Sequence, residues 1–288
     1  MVGERELWYN GDVMKIKNIL LIVPANDAEA AMIILLARKI KLPTLVSFQP
    51  HGATLDREPG VLKKIKESGA REIVVVEMPG IKIEEKIKKL GVKIKIIDHH
   101  RYGDLNRKKM KSSLEQFLQM FKLTDLCLSE LGFDPRLVRG IGIQDRGFVD
   151  SLRREKYSTE EIKKVFAYQN KLLRPYLNLD EEKKYEAAAR EAWKNREEWN
   201  GYFIVTGHTK EGFRRHLSHH VFEKTSQALP IILDERGRGV ISIQDSPAAA
   251  HLFKKFGGFT FGEKGNWGYK NGPGKKKVTL EDVKKELC

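Results

Sequence analysis

Residues Val92 to Ile97 form an apolar run broken only by Lys93 and Lys95, and the run ends in Asp98-His99-His100. Such a run reads as a buried strand of a parallel sheet, and open α/β sheets bind their ligands outside the carboxyl ends of their strands. Neutral imidazole and carboxylate together suit Mn²⁺, Zn²⁺ or Mg²⁺. Two adjacent histidines on an extended strand point to opposite faces. At a strand end, where the chain turns, both reach one site. A structural or solvated role is the alternative for each of these residues taken singly, so the rest of the chain has to weigh on the choice.

Other acids follow other apolar runs. Ile19 to Val23 reads as a buried strand and is followed by Pro24-Ala25-Asn26-Asp27-Ala28-Glu29, then by an alanine-rich helix over Ala30 to Leu42. Ile73 to Val76 reads as another strand and ends in Glu77-Met78-Pro79-Gly80. A further apolar segment, Leu137 to Ile143, ends in Gln144-Asp145-Arg146-Gly147. If these segments are neighbours in one sheet, their acids converge. An acid after a strand is also an ordinary helix N-cap, and that alternative applies to Asp27 above all.

With these segments in this order the chain resembles the DHH phosphoesterases, which carry a C-terminal DHHA1-type domain. The resemblance runs from about Ile16 to about Gly272. Asp27-Ala28-Glu29-Ala30 is similar to the first motif, Glu77 stands at the second, Asp98-His99-His100 matches the third, and Asp145 resembles the fourth. Phe256-Gly257-Gly258-Phe259 looks like the glycine-rich substrate loop. The family includes RecJ-like exonucleases, oligoribonucleases, cyclic dinucleotide phosphodiesterases and family II pyrophosphatases. The resemblance implies metal ligation by Asp27, Glu29, Glu77, His99 and Asp145, with Mn²⁺ or Mg²⁺ as cofactor. It implies that Asp98 orients an imidazole and that His100 contacts the scissile phosphate. Gly257, Gly258, His219 and His220 are the implied substrate-binding residues.

This sequence departs from the family at several positions. Glutamate replaces aspartate at Glu29 and Glu77, and Val23 stands where many members have histidine. One metal position, formed by Glu29, Glu77, His99 and Asp145, keeps a full ligand set. The other, formed by Asp27, the shared Glu77 and the missing histidine, is short of ligands. In two-metal hydrolysis the pair of ions clamps the attacking and leaving oxygens, so the loss weakens chemistry more than binding.

The residues up to about 155 alternate strands and helices, the mark of a parallel sheet with helices on both faces. Residues 156–200 are rich in Glu, Lys and Ala, and they predict a helical linker starting at Ser158-Thr159-Glu160-Glu161 and interrupted at Pro175. Residues 201–288 predict a smaller α/β domain with a strand over Tyr202 to Thr206, a hairpin over Ile231 to Ile243, a short helix over His251 to Phe256, and a loop over residues 262–277. His216 lies beside both His219 and His220 on a helix. That spacing can build a metal site, but without a fixed acid partner it favours a phosphate-binding or surface role. Trp267 and Tyr269 fit either stacking on a base or packing in a core.

The net charge of +14 points to an anionic partner, with a generally solvated lysine-rich surface as the alternative. Its clusters include Arg101 with Arg107-Lys108-Lys109, Arg153-Arg154, Arg214-Arg215 and Lys275-Lys276-Lys277. No apolar run is long enough to span a bilayer. Met1 to Glu6 lacks a signal-peptide core, and Cys127 and Cys288 form no disulfide framework. These features predict a cytoplasmic protein without a membrane partner, and they are compatible with a homo-oligomer or a protein complex. The function expected is metal-dependent hydrolysis of phosphodiester or phosphomonoester bonds in short single-stranded oligonucleotides or nucleotides. The alternative is a catalytically weakened nucleic-acid-binding or complex-forming subunit on the same fold. A family II pyrophosphatase fits less well, because that branch also relies on the position held here by Val23.

Overall fold

The computed structural model describes residues 8–9, 12–13, 16–102, 105–107, 109–210, 212–261, 265–274 and 276–288. The readings of Met1 to Glu6, Lys108, Gly262 and Lys275 lie outside the described residues, as does the Arg101 side chain. The chain is α/β and divides into two units, residues 1–143 with 167–176, and residues 144–166 with 177–288.

The first unit is built on a four-stranded parallel sheet of β3 (Ile19–Pro24), β4 (Thr44–Ser47), β5 (Glu72–Val76) and β6 (Lys93–Ile97), in the order β4-β3-β5-β6. Two short antiparallel pairs accompany it, β1 (Trp8–Tyr9) with β2 (Asp12–Val13) and β7 (Arg101–Tyr102) with β8 (Leu105–Asn106). Leu21, Ile22 and Val23 are all fully buried. Successive strand residues face opposite sides, so both faces of the central strand are covered, which is why it reads as a continuous apolar run. On one face Leu20, Ile22, Ile73 and Val75 pack with Val61, Ile65 and Ile87 of α2 (Val61–Ser68) and α3 (Ile81–Lys89). Both helices stop as the sequence predicts: Gly69 caps α2 in the left-handed region, and Gly91 follows α3 with φ +74°. Alongside β3 runs α1 (Ala28–Lys39), whose apolar residues are buried almost all round. α4 (Ser113–Met120) opens on a reciprocal cap between Ser112 and Glu115. It is followed by α5 (Asp125–Glu130).

The segment Leu137 to Ile143 was expected to deliver its acid as a strand would, yet it is helical, within α6 (Pro135–Arg154). The cause is local. Asp134 Oδ1 accepts from the Arg136 N–H at 2.8 Å, and Pro135 occupies the first helical position, where its fixed φ is pre-organised. An apolar run that short does not distinguish a strand from a helix by periodicity alone.

α7 (Thr159–Leu173) ends in a 3₁₀ turn over Arg174–Tyr176, as Pro175 requires, and α8 (Leu179–Lys194) begins after it. The second unit carries a six-stranded mixed sheet, ordered β13-β14-β12-β11-β10-β9. Its strands are β9 (Glu197–Trp199), β10 (Tyr202–Gly207), β11 (Ile231–Glu235), β12 (Val240–Gln244), β13 (Phe259–Thr260) and β14 (Trp267–Lys270). Only β10 and β11 pair in parallel, joined through α9 (Arg214–Thr225), and β11–β12 is the expected hairpin. One face packs Val205, Ile231 and Leu233 with Trp193 of α8 and Leu217 and Val221 of α9. The other packs Ile204, Ile232, Ile241 and Ile243 with Leu252 of α10 (Ala249–Phe256) and Val283 of α11 (Leu280–Leu287).

Residues 262–277 were expected to be a loop, but they contain β14. Trp267 is fully buried and Tyr269 is 8% exposed, so both are packing residues rather than a base-stacking surface. The dense glycine and lysine around them hides the alternation of Trp267 and Tyr269. Trp267→Ala is therefore expected to lower the unfolding free energy by about 3–5 kcal/mol, as for other large aromatic truncations in cores. Urea titration of the variant measures this, and an unchanged midpoint would contradict the packing role.

Candidate metal centre

The carboxyl ends of β3, β5 and β6 lie at one edge of the parallel sheet, and each carries polar residues from the sequence motifs. Glu77 follows β5 with φ +48°, a left-handed conformation in which a non-glycine residue stores strain of order 1–3 kcal/mol. Its N–H donates to Ile97 O at 3.0 Å, which ties the turn after β5 to the end of β6. This turn brings the Glu77 carboxylate to 3.2 Å from His99 Nε2 and 3.8 Å from His100 Nδ1.

Glu29 arrives from the first turn of α1. Its side chain is buried, and its two oxygens accept from the backbone N–H groups of Leu114 at 2.8 Å and Ser113 at 3.3 Å. It therefore meets the N-terminus of α4, where orphan amides and the helix dipole favour an anion. The same carboxylate lies 3.7 Å from His99 Nε2. Ligand atoms of Glu29, Glu77 and His99 all lie within 4.8 Å of one another. The same holds for Glu77, His99 and His100.

The electrostatics follow from burial and neighbours. Burial alone would raise the Glu77 carboxyl pKa, but the His99 imidazole, the His100 charge and the Ser113 hydroxyl outweigh it, and the net displacement is downward. Asp98 is almost fully buried, and its Oδ1 accepts from the His100 N–H at 3.0 Å and faces His100 Nδ1 at 3.2 Å. The two imidazole rings lie 4.1 Å apart between centroids.

Asp27 is the N-cap of α1, its Oδ1 accepting from the Ala30 N–H at 2.8 Å. Val23 is a fully buried strand residue. Asp145 is a partly buried residue of α6, two positions before the helix breaks at Gly147 and Phe148.

The remaining sequence-predicted residues lie in the second unit. Gly257 ends α10 with φ +72°, and Gly258 has φ +92°. A Cβ on Gly258 would stand 2.3 Å from Gly268 O, so only glycine lets β13 approach β14 there. Trp267 Nε1 locks the turn by donating to Gly257 O at 2.7 Å. His219 is buried and stacks on Phe166 with ring centroids 4.1 Å apart. Burial, then the Arg215 and His216 charges, push its pKa down to about 3. His216 faces Glu182 at 3.1 Å, and burial with the Arg215 charge lowers its pKa to about 4. His220 is half-buried, and its pKa is lowered by burial and Lys224.

Several arginines of the basic clusters are engaged internally. Arg107, one cation of a basic cluster, pairs with Glu84, stands 3.8 Å from Asp98 Oδ2, and donates its backbone N–H to His100 O at 3.0 Å. Glu84 in turn accepts from the Gly80 N–H at 3.1 Å. Arg107 and Glu84 thus link the turn after β5 to the segment after Asp98-His99-His100. Sequence reasoning missed this link, because nothing in the chain marks Glu84 as different from the other acids of its helix. Arg215 pairs with Glu182, and Arg214 is half-buried with its guanidinium 3.8 Å above the Phe261 ring.

Neither a protein-family model nor a curated protein matches the chain. Solved structures do. An exonuclease RecJ bound to manganese matches with a TM-score of 0.44 at 13% identity, over 93% of this chain and 88% of that one. An exopolyphosphatase-related protein from Bacteroides fragilis matches with a TM-score of 0.44 at 13% identity, over 93% and 89%. A pGpG-specific phosphodiesterase from Vibrio cholerae matches with a TM-score of 0.40 at 10% identity, over 93% and 95%. Each is similar to this chain at low identity.

Two outcomes follow from this geometry. Glu29→Ala removes the acceptor for two backbone amides, so in chelator-treated protein it should cost about 1–3 kcal/mol for each donor left unpaired. Denaturant melts with EDTA read this out, and an unchanged midpoint would deny Glu29 its structural share. The second concerns His219, whose folded pKa of about 3 lies below its ordinary value of 6.5. The unfolded chain binds the extra proton, so the stability from the neutral buried ring is complete above pH 6.5 and is lost as pH falls towards about 3. His219→Asn should show a shallower loss of melting temperature across that window; an identical slope would rule the assignment out.

Proposed function

We propose that this chain is a metal-dependent phosphoesterase acting on phosphodiester or phosphomonoester bonds of nucleotides or short single-stranded oligonucleotides. The observation that carries the reading is the meeting of a buried carboxylate, Glu29, and a partly buried one, Glu77, at one imidazole nitrogen of His99. Carboxylate oxygen with imidazole is a donor set that suits Mn²⁺, and the oxygen-rich balance also admits Mg²⁺. Packing two carboxylates together in a buried place is costly without a compensating cation. The residues present therefore fit a divalent ion. Asp145 joins them as a ligand on the strength of the sequence motif, and Asp27 belongs to a weaker second position. A divalent ion held by these residues supplies Lewis-acid polarisation of a phosphoryl oxygen.

The chain's own groups have separable tasks in this reading. Glu29 is held by the α4 amides and Glu77 by its turn, so both carboxylates are positioned before any ligand arrives. Asp98 holds the His100 ring through Nδ1, and Nε2 is the atom with which His100 contacts the scissile phosphate. Arg107 and Glu84 fix the backbone on either side. Gly257 and Gly258 supply a turn whose backbone a phosphate can approach closely. His220 suits a phosphate contact better than His219, which is covered by Phe166.

A second reading, a binding subunit with weakened catalysis, is favoured by one observation. Val23 is a fully buried residue whose apolar side chain has no ligand atom, so this chain supplies nothing from that position to a second metal position.

Mn²⁺ titration followed by electron paramagnetic resonance is expected to find one tight ion, weakened at least about tenfold by His99→Ala, a loss seen even for groups that only orient a ligand. Two equally tight ions, or none at millimolar Mn²⁺, would refute the unequal sites. Short RNA, short DNA and bisphosphonucleosides should be cleaved in a Mn²⁺-dependent manner that His99→Ala abolishes. Binding without cleavage under Mn²⁺, Mg²⁺ and Co²⁺ selects the second reading.

A further inference from the structure

We infer that Phe48 is a stacking platform for a nucleobase, which makes the substrate of the metal centre a nucleotide rather than inorganic polyphosphate. The inference rests on the phosphoesterase reading and narrows its substrate class. Phe48 is 80% exposed, while the next most exposed phenylalanine, Phe259, is 42% exposed. It directly follows β4, so it stands at the same edge of the sheet as Glu77 and His99. Ser47 pairs with Pro24 of β3, and the Ala25 N–H donates to Ser47 O at 2.8 Å. One step on, Asn26 Nδ2 donates to Pro50 O at 3.4 Å. The segment bearing Phe48 is thus bonded to the segment that leads into Asp27 and Glu29.

The residues on either side of Phe48 are anchored. Ser47 before it is buried. Gln49 after it is fixed by its side-chain amide, whose Oε1 accepts from the Thr54 N–H and whose Nε2 donates to Thr54 O and Glu58 Oε2, each at 3.1 Å. Phe48 lies between these anchored neighbours with its ring exposed, and it forgoes the burial an aromatic side chain ordinarily gains. Singly exposed apolar residues are common. An exposed aromatic ring at the carboxyl edge of an α/β sheet offers the kind of face on which single-strand binders stack bases without reading their identity. Two strand spacings, about 10 Å, separate the ends of β4 and β5, which leaves room for a phosphate at the metal centre and its attached nucleoside at Phe48. Inorganic chains of phosphate have no apolar face for this ring to meet.

The experiment measures Mn²⁺-dependent binding of a short single-stranded oligoadenylate and of inorganic tripolyphosphate to the full chain and to three variants, Phe48→Ala, Phe48→Leu and Phe48→Tyr. Because the side chain is exposed, all three should melt like the parent, and a melting curve checks this. Oligoadenylate binding should weaken about tenfold in Phe48→Ala and Phe48→Leu and be retained in Phe48→Tyr, while tripolyphosphate binding is equal in all four proteins. A 2-aminopurine placed in the oligonucleotide should be quenched on binding the parent and not on binding Phe48→Leu. Equal oligoadenylate affinity across the series, or full retention by Phe48→Leu, overturns the stacking role while leaving the phosphoesterase reading intact. If the parent binds tripolyphosphate but no oligonucleotide, the nucleotide assignment is overturned. If the parent binds neither, the phosphoesterase reading falls and the stacking role falls with it.

Discussion

Two carboxylates converge on one imidazole nitrogen, and the first unit is arranged around that convergence. Glu29 reaches His99 from the start of a helix, and Glu77 reaches it from a turn whose backbone lies in a region that only glycine enters cheaply. Neither position is favourable on local grounds. Each is held by other parts of the chain: Glu29 by the amides of α4, and the Glu77 turn by the end of β6 and by Arg107 acting through Glu84. Such supports make the distances at the sheet edge a property of the whole unit and not of three side chains.

The central strands β3 and β5 were legible because they are buried on both faces and read as continuous apolar runs with polar ends, whereas the edge strands β4 and β6 are only partly buried. Asp98-His99-His100 stood out at the boundary between an apolar run and a turn. What the sequence concealed was partnership across distance. Glu29 reads as an acid early in a helix, and nothing local tells that its carboxylate will cap a second helix more than eighty residues later. Arg107 reads as one more cation in a basic run, yet it is spent inside the unit.

The misread segments have separate physical causes. Leu137 to Ile143 is too short for its period to choose between strand and helix, and the decision falls to the Asp134-Pro135 start signal just before it. Trp267 and Tyr269 sit in a tract whose composition resembles a loop, and only their burial reveals the strand. The basic clusters are partly engaged inside the fold, which the sequence does not show, and such pairing leaves the net charge of +14 as it is. Arg107, Arg214 and Arg215 are all engaged within the fold, so the cations that remain to meet an anion are drawn more from lysines.

The division of the chain carries a consequence for how it is made. The first unit consists of residues up to 143 together with 167–176, so it is completed only after a stretch belonging to the second unit has been synthesised. Domains emerging from the ribosome ordinarily fold in order, the amino-terminal one first. Here the earlier unit waits for its last piece, and its parallel sheet, whose pairings are all non-local, is the slow kind to form. A gene cut between residues 143 and 144 would give two fragments, the first lacking an internal part of its own unit.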